Sequence, residues 1–165
     1  MRLSYDRRFF YNHRMSFIPK VLIIAGSDSG GGAGIQADIK TTSYFNGYAM
    51  TAITAITAQN TIGVQSIYPL PKEIVMEQIN SITTDLSPDI VKIGMLADLD
   101  IIEYISKKIS NYKIVLDPVM VATSGDVLVS DEVVSSIKNN LINKSFLITP
   151  NIYEAEILSE KKINC

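Results

Sequence analysis

Glycines and small polar residues are gathered in the segment GSDSGGGAG, at residues 26–34. Its glycines let the backbone approach a ligand closely, because no Cβ atom stands in the way. A helix predicted to follow would direct free N–H groups and a partial positive charge towards that ligand. The spacing fits neither the phosphate loop, which needs Lys-Ser or Lys-Thr, nor Gly-x-Gly-x-x-Gly, because Gly34 follows Gly32 too early. A ligand-binding loop and a tight strand–helix turn both remain open, and the excess of glycine favours the ligand.

Polar residues follow the glycine segment at positions that could face the same ligand. Asp38 lies one helical turn beyond Gly34, where it could also be an ordinary solvated acid. Gln59 ends a predicted strand, and its primary amide offers a donor and an acceptor in one plane, which suits an aminopyrimidine edge. Asp117 ends another strand, and open parallel sheets bind ligands at the carboxyl ends of their strands.

Asn151 and Glu154 are three residues apart in the first turn of a predicted helix. This spacing puts both side chains on one face. Asn at the cap position with Glu three residues later is also a capping arrangement. The sequence leaves open whether the pair caps the helix or contacts a phosphate or a metal-bound water.

Alternating apolar runs and amphipathic segments must position these residues. Strands are predicted at 20–25, within 48–58, and at 89–96, 113–119 and 146–149; helices are predicted at 35–45, 72–86, 99–109, 130–142 and 150–158, with a loop at 120–126. Strands that alternate with helices of this length indicate an α/β fold, with a parallel sheet covered by helices on both faces.

Composition limits the possible functions. The 165 residues are 47% hydrophobic and 19% charged, which is typical of one globular domain. No apolar run approaches the roughly 20 residues of a membrane helix, so no membrane partner is expected. The one histidine and one cysteine exclude a histidine cluster and an internal disulfide framework. The chain has 15 basic and 17 acidic residues in total. Residues 1–20 hold five of the basic residues and one of the acidic residues, so the rest of the chain holds 10 basic and 16 acidic residues. That remainder disfavours nucleic-acid binding.

The first 18 residues differ in composition from the rest. They are rich in arginine and aromatic residues, as organelle presequences are, but the abrupt change favours a disordered or non-native extension with Met15 as the start. No secretory signal is visible, so a cytoplasmic location is expected. The domain is then residues 19–165.

Five segments resemble the hydroxymethylpyrimidine/phosphomethylpyrimidine kinases of thiamine biosynthesis, members of the ribokinase-like superfamily. They are AGSDSGGGAGIQADIKT, TAITAQNTIGVQSIYP, VKIGML, VLDPVMVATSGD and ITPNIYEAEIL, and the resemblance spans about residues 19–160. It implies a three-layer αβα fold with a mostly parallel sheet. It also implies phosphorylation of 4-amino-5-hydroxymethyl-2-methylpyrimidine, and then of its monophosphate, with ATP and Mg²⁺ as cofactors.

The resemblance also implies roles for individual residues. Substrate-binding residues would be Gln59, which would bind the pyrimidine amine and ring nitrogen, and Gly26, Asp38, Met95 and Val119. Asp117, Asn151 and Glu154 would lie near the nucleotide phosphates, with Glu154 near Mg²⁺ through a water. Thr123 stands where many members have lysine.

The resemblance places the anion hole and the catalytic cysteine of the family beyond Cys165, in a Gly-Thr-Gly-Cys segment. No catalytic residue is therefore assigned within the chain, the sheet is expected to be incomplete at its C-terminal side, and little kinase activity is expected from these 165 residues alone. An open sheet edge predicts poor solubility or association into a homo-oligomer. The alternatives are a pyrimidine-binding fragment without turnover, or another ribokinase-like kinase such as a pyridoxal kinase. A dehydrogenase domain is disfavoured by the missing dinucleotide fingerprint.

Overall fold

The computed structural model of the chain describes residues 17–120 and 129–163. The strands in these ranges are β1 (Lys20–Asp28), β2 (Tyr48–Gln59), β3 (Val64–Pro69), β4 (Ile90–Ile93), β5 (Lys113–Leu116) and β6 (Leu147–Ile148). The helices are α1 (Gly34–Tyr44), α2 (Lys72–Asp85), α3 (Leu99–Lys108), α4 (Asp131–Asn140) and α5 (Ile152–Ser159), with a 3₁₀ turn at Ile142–Lys144. The predicted loop with Thr123 lies almost wholly outside the described residues, as do Met15, Cys165 and most of the N-terminal extension.

The described strands form one sheet in the order β3-β2-β1-β4-β5-β6. Neighbours from β2 to β6 pair in parallel, and β3 pairs antiparallel with β2 at the edge. The predicted mostly parallel sheet is confirmed. β3 was not predicted, because most of its residues are exposed and its sequence lacks the apolar run of a buried strand.

Both faces of the sheet are covered by helices. On β1, the side chains of Leu22 and Ile24 point to a large core that α2, α3 and α4 complete. The alternate residues Ile23 and Ala25 point to a smaller core with Ile35 of α1. Because successive side chains of a strand face opposite sides, a central strand of such a fold must be apolar on both faces, as KVLIIA is. The predicted three-layer αβα arrangement is confirmed.

Several strands end at different residues from those predicted. β1 continues past Ala25 to Asp28, with a register shift against β2 between Ala25 and Ser27. β4 and β5 end three residues earlier than predicted, at Ile93 and Leu116. The segments that follow β4 and β5 therefore leave the sheet at its carboxyl edge, where they can turn side chains towards a ligand.

No helix in the described part of the chain is both long and apolar enough to cross a bilayer.

Gly34 fixes the junction between the glycine loop and α1. Its φ of 55° lies in the left-handed region, and a Cβ atom there would stand 2.3 Å from the carbonyl oxygen of Gly26. Gly34→Ala should lower the free energy of unfolding by about 2 kcal/mol or more. Gly32→Ala is the matched control, since its Cβ would meet only the Asp28 carboxylate at 3.9 Å. Urea unfolding of both variants measures the difference; equal stabilities would contradict this account of the junction.

Candidate active site

A cavity of about 360 Å³ lies at the carboxyl edge of the sheet. Its walls include all eight residues that sequence analysis proposed for substrate or phosphate binding: Gly26, Asp38, Gln59, Met95, Asp117, Val119, Asn151 and Glu154. They come from the last residues of β1 and β2, from the segments that follow β4 and β5, from the second turn of α1 and from the start of α5. The structure thus brings the proposed residues together, while their binding roles remain predictions.

Several backbone N–H groups of the glycine loop donate to a side chain of the loop itself. The carboxylate of Asp28 accepts hydrogen bonds from the backbone N–H groups of Gly30, Gly32 and Ala33, at 2.7, 2.9 and 2.8 Å. These three N–H groups lie in the loop before α1, which begins at Gly34. The chain's own carboxylate occupies these loop donors, while ligand binding by the first N–H groups of α1 stays a prediction.

The environment of Asp28 favours its ionised form. Burial by itself raises the pKa of this carboxyl group, but the hydrogen bonds from the backbone N–H groups of Ala33, Gly30 and Gly32 outweigh burial and lower its pKa below 3.8. Gln36 completes the anchoring, since its Oε1 accepts the N–H of Asp28 at 2.8 Å and its Nε2 donates to the hydroxyl of Ser27 at 2.7 Å.

Gln59 presents its amide to the cavity from the last residue of β2. Its backbone is fixed by Ser29, whose hydroxyl accepts the N–H of Gln59 and contacts its carbonyl oxygen, each at 2.8 Å. The Oε1 atom lies 3.2 Å from the hydroxyl of Thr57. Among the described residues, the Nε2 atom has no hydrogen-bond partner. A donor and an acceptor are therefore held in one plane at the cavity wall.

Asp38 and Asp117 both form ion pairs with one lysine of the cavity wall, which the sequence analysis did not propose as a site residue. Lys92 of β4 places its Nζ 2.8 Å from Asp38 Oδ2 and 3.1 Å from Asp117 Oδ2. Asp38 is thus an ion-paired residue of the cavity wall and not a freely solvated acid. The available signal was a lysine within the apolar strand DIVKIGML, since a basic residue in a central strand needs a partner.

Asn151 and Glu154 form the capping box that the sequence left open. Asn151 Oδ1 accepts the N–H of Glu154 at 2.9 Å, and Glu154 Oε2 accepts the N–H of Asn151 at 3.0 Å. Glu154 Oε1 also accepts the N–H of Met120 at 3.3 Å, which ties α5 to the segment after β5. With an exposed fraction of only 3%, Glu154 anchors this side of the cavity.

The donor set around the cavity suits Mg²⁺ only in company with a ligand. In residues 17–120 and 129–163 there is no group of three or more His, Cys, Asp or Glu side chains placed to hold a metal ion. Mg²⁺ commonly binds through one or two carboxylates together with substrate phosphates and waters. Asp117 is an oxygen donor of that kind, so it fits a magnesium ion that a nucleotide brings with it. Both oxygens of Glu154 already accept backbone N–H groups, so Glu154 would act on such an ion through a water.

Comparison with known proteins relates this site to kinases. The sequence profile described as phosphomethylpyrimidine kinase matches residues 28–165. The hydroxymethylpyrimidine/phosphomethylpyrimidine kinase of Bacillus subtilis strain 168 is 51% identical over 150 residues, which are 89% of this chain and 55% of that protein. The kinase of the same description from Escherichia coli K12 is 47% identical, over 83% of this chain and 53% of its own length. The chain thus spans about half the length of the curated relatives it matches.

Solved structures give the same relationship for the fold. The phosphomethylpyrimidine kinase of Clostridium difficile 630 superposes with a TM-score of 0.81 at 45% identity, covering 90% of this chain and 65% of that one. The pyridoxal kinase of Staphylococcus aureus in complex with AMP-PCP superposes with a TM-score of 0.80 at 34% identity, covering 91% and 55%. The sheet and its helices have the ribokinase-like fold of these kinases.

The hydrogen bonds to Asp28 predict a specific dependence of stability on pH. Because its pKa is lower in the folded chain, the Asp28 carboxylate stabilises the fold fully above pH 3.8, and this stabilisation is lost as the pH falls from 3.8 through the lower folded-state pKa. Asp28→Asn should reduce the free energy of unfolding at pH 7 by about 1–3 kcal/mol. The difference in the free energy of unfolding between wild type and variant should then become smaller below pH 3.8.

Urea unfolding between pH 2.5 and 7 measures this difference. Asp85→Asn is the control, since Asp85 is exposed at the end of α2. A difference that stays constant with pH would contradict the role given to the ionised carboxylate.

Proposed function

The chain belongs to the phosphomethylpyrimidine kinase family, and we propose that its function is the ATP-dependent phosphorylation of 4-amino-5-hydroxymethyl-2-methylpyrimidine and of its monophosphate. The family relationship is the premise; the substrate and the reaction are the proposal. In the chain described here, the proposal concerns the cavity at the carboxyl edge of the sheet, which would hold the pyrimidine.

The amide of Gln59 is the observation that carries the proposal. An aminopyrimidine has an exocyclic N–H donor next to a ring nitrogen acceptor, and a primary amide matches that edge with two hydrogen bonds. The Nε2 atom of Gln59 is without a partner among the described residues, and its Oε1 shares only the hydroxyl of Thr57. Such a planar pair of groups at a cavity wall is suited to a planar heterocycle.

The remaining walls suit a small flat ring. The cavity volume of about 360 Å³ is at the lower end of the range for small-molecule sites. Met95 and Val119 supply apolar surface, and Gly26 faces Met95. A Cβ atom on Gly26 would stand 2.9 Å from Met95 Cε, so glycine keeps this part of the cavity open.

Asp117, Asn151 and Glu154 lie on the side of the cavity that we assign to the nucleotide. Phosphoryl transfer depends mainly on positioning and on stabilising the charge of the transferred group. When bound with the nucleotide, Mg²⁺ supplies neutralisation of that charge. The capping box holds Glu154 in place, and Lys92 holds Asp117, so both carboxylates are oriented before a ligand arrives. Nucleotide use is supported by the related S. aureus pyridoxal kinase, which is described in complex with AMP-PCP and with ADP.

A pyridoxal kinase is the second candidate, because solved pyridoxal kinases share 32–37% identity with the chain. The Gln59 amide separates the two substrates. Pyridoxal has no exocyclic amine next to a ring nitrogen, so it cannot make the two hydrogen bonds that an aminopyrimidine makes.

Isothermal titration calorimetry of this chain tests the substrate assignment. The hydroxymethylpyrimidine should bind the wild type, and Gln59→Ala should weaken binding about tenfold or more, since both hydrogen bonds to the ring edge are lost. Gln65→Ala is the matched control, because Gln65 is exposed on β3, donates hydrogen bonds to Asn60 and Gly63, and is not among the residues that line the cavity. Pyridoxal should bind more weakly than the pyrimidine. Tighter binding of pyridoxal, or an unchanged affinity in Gln59→Ala, would overturn the assignment.

A further inference from the structure

Asp38, Lys92 and Asp117 form a charged trio on the cavity wall that the proposed recognition of the pyrimidine ring does not use. The three residues come from α1, β4 and the segment after β5. Their side chains keep exposed fractions of 23%, 20% and 34%, so they are partly shielded but still face the cavity.

Lys92 contacts one carboxylate oxygen of each partner. Its Nζ lies close to Oδ2 of Asp38 and Oδ2 of Asp117. Within the described part of the chain, the Oδ1 atom of each aspartate has no hydrogen-bond partner. The lysine therefore orients both carboxylates and leaves one acceptor oxygen on each of them for a ligand.

The trio carries a net charge of −1, and little else in the cavity offsets it. Lys92 is the only base among the described residues that line the cavity. In the loop before α1, the N–H groups of Gly30, Gly32 and Ala33 already donate to Asp28. A second negative charge brought by a ligand would therefore meet two carboxylates and one cation at the trio.

We propose that Lys92 is a positioning residue that orients Asp38 and Asp117, and that the resulting trio makes this cavity bind the pyrimidine alcohol in preference to its phosphate when no divalent cation is present. The alcohol donates a hydrogen bond, which a carboxylate accepts. A phosphate dianion only accepts, and it is repelled by the like charge of the trio. The inference rests on the proposed function, since it concerns the same cavity and the same pyrimidine.

Calorimetry in buffer with EDTA tests the inference with two ligands, the hydroxymethylpyrimidine and its monophosphate. The wild-type chain should bind the alcohol at least about tenfold more tightly than the phosphate. Asp38→Asn and Asp117→Asn each remove one negative charge while keeping a similar shape, so each should bring the ratio of the two affinities closer to one. Two such variants are used so that a folding defect in one does not decide the result.

Lys92→Met tests the positioning role. It leaves two carboxylates facing each other without a cation, so binding of the alcohol should weaken about tenfold. Binding of the phosphate should weaken more, so the ratio of the affinity for the alcohol to that for the phosphate should increase. Lys107→Met is the matched control, because Lys107 forms an exposed pair with Glu103 within α3. Circular dichroism of each variant shows whether the fold is retained, and a structural role alone would not change the ratio of affinities.

The outcomes separate this inference from the proposed function. If the wild type binds the alcohol and the phosphate equally well in EDTA, or if neither Asn variant changes the ratio, the inference is overturned while the pyrimidine assignment stands. If the wild type binds neither compound, the proposed function fails, and the inference fails with it.

Discussion

The carboxylate of Asp28 is the contact on which the ligand-binding edge of this protein depends. It gathers three N–H groups of the glycine loop and so fixes where α1 begins relative to β1. The close passage of Gly34 over the carbonyl of Gly26 is possible only with the loop in this shape. The position of α1 in turn determines where Asp38 meets Lys92. The sequence of this loop suggests a binding site for an anionic ligand, but in the structure the Asp28 carboxylate accepts the hydrogen bonds of three of its N–H groups.

Each charged side chain among the described residues that line the cavity has a partner. The carboxylates of Asp28 and Glu154 are held by backbone N–H groups, and those of Asp38 and Asp117 by Lys92. Ionised groups that are shielded from water are stable only with such partners. Among the described residues, the Gln59 amide and the Oδ1 atoms of Asp38 and Asp117 are polar groups that this arrangement leaves available to a ligand. These groups suit a small neutral heterocycle that carries N–H and O–H donors.

The family relationship and the cavity geometry support the proposed class of ligand independently. The relationship to phosphomethylpyrimidine kinases rests on the profile match over residues 28–165 and on sequence identity with curated relatives, of whose length the chain spans about half. The geometry concerns only the cavity that this chain forms. A pyrimidine at Gln59 is compatible with both, which makes ligand binding the property by which the chain can be tested directly.

The sequence by itself determined the layers of the fold and the identity of the cavity wall. Apolar runs such as KVLIIA, followed by a glycine loop, favour central strands, and parallel strands end at one edge of a sheet, so residues after those strands were expected to meet there. β3 escaped prediction because an exposed edge strand has no apolar periodicity. Local patterns also could not show that Asp28 fills the glycine loop, that Glu154 reaches Met120, or that Lys92 joins two aspartates separated from it by 54 and 25 positions in the printed sequence. These contacts depend on the relative placement of separate elements, and only the tertiary structure, through the packing of α1 and α5 against the strand ends, decided them.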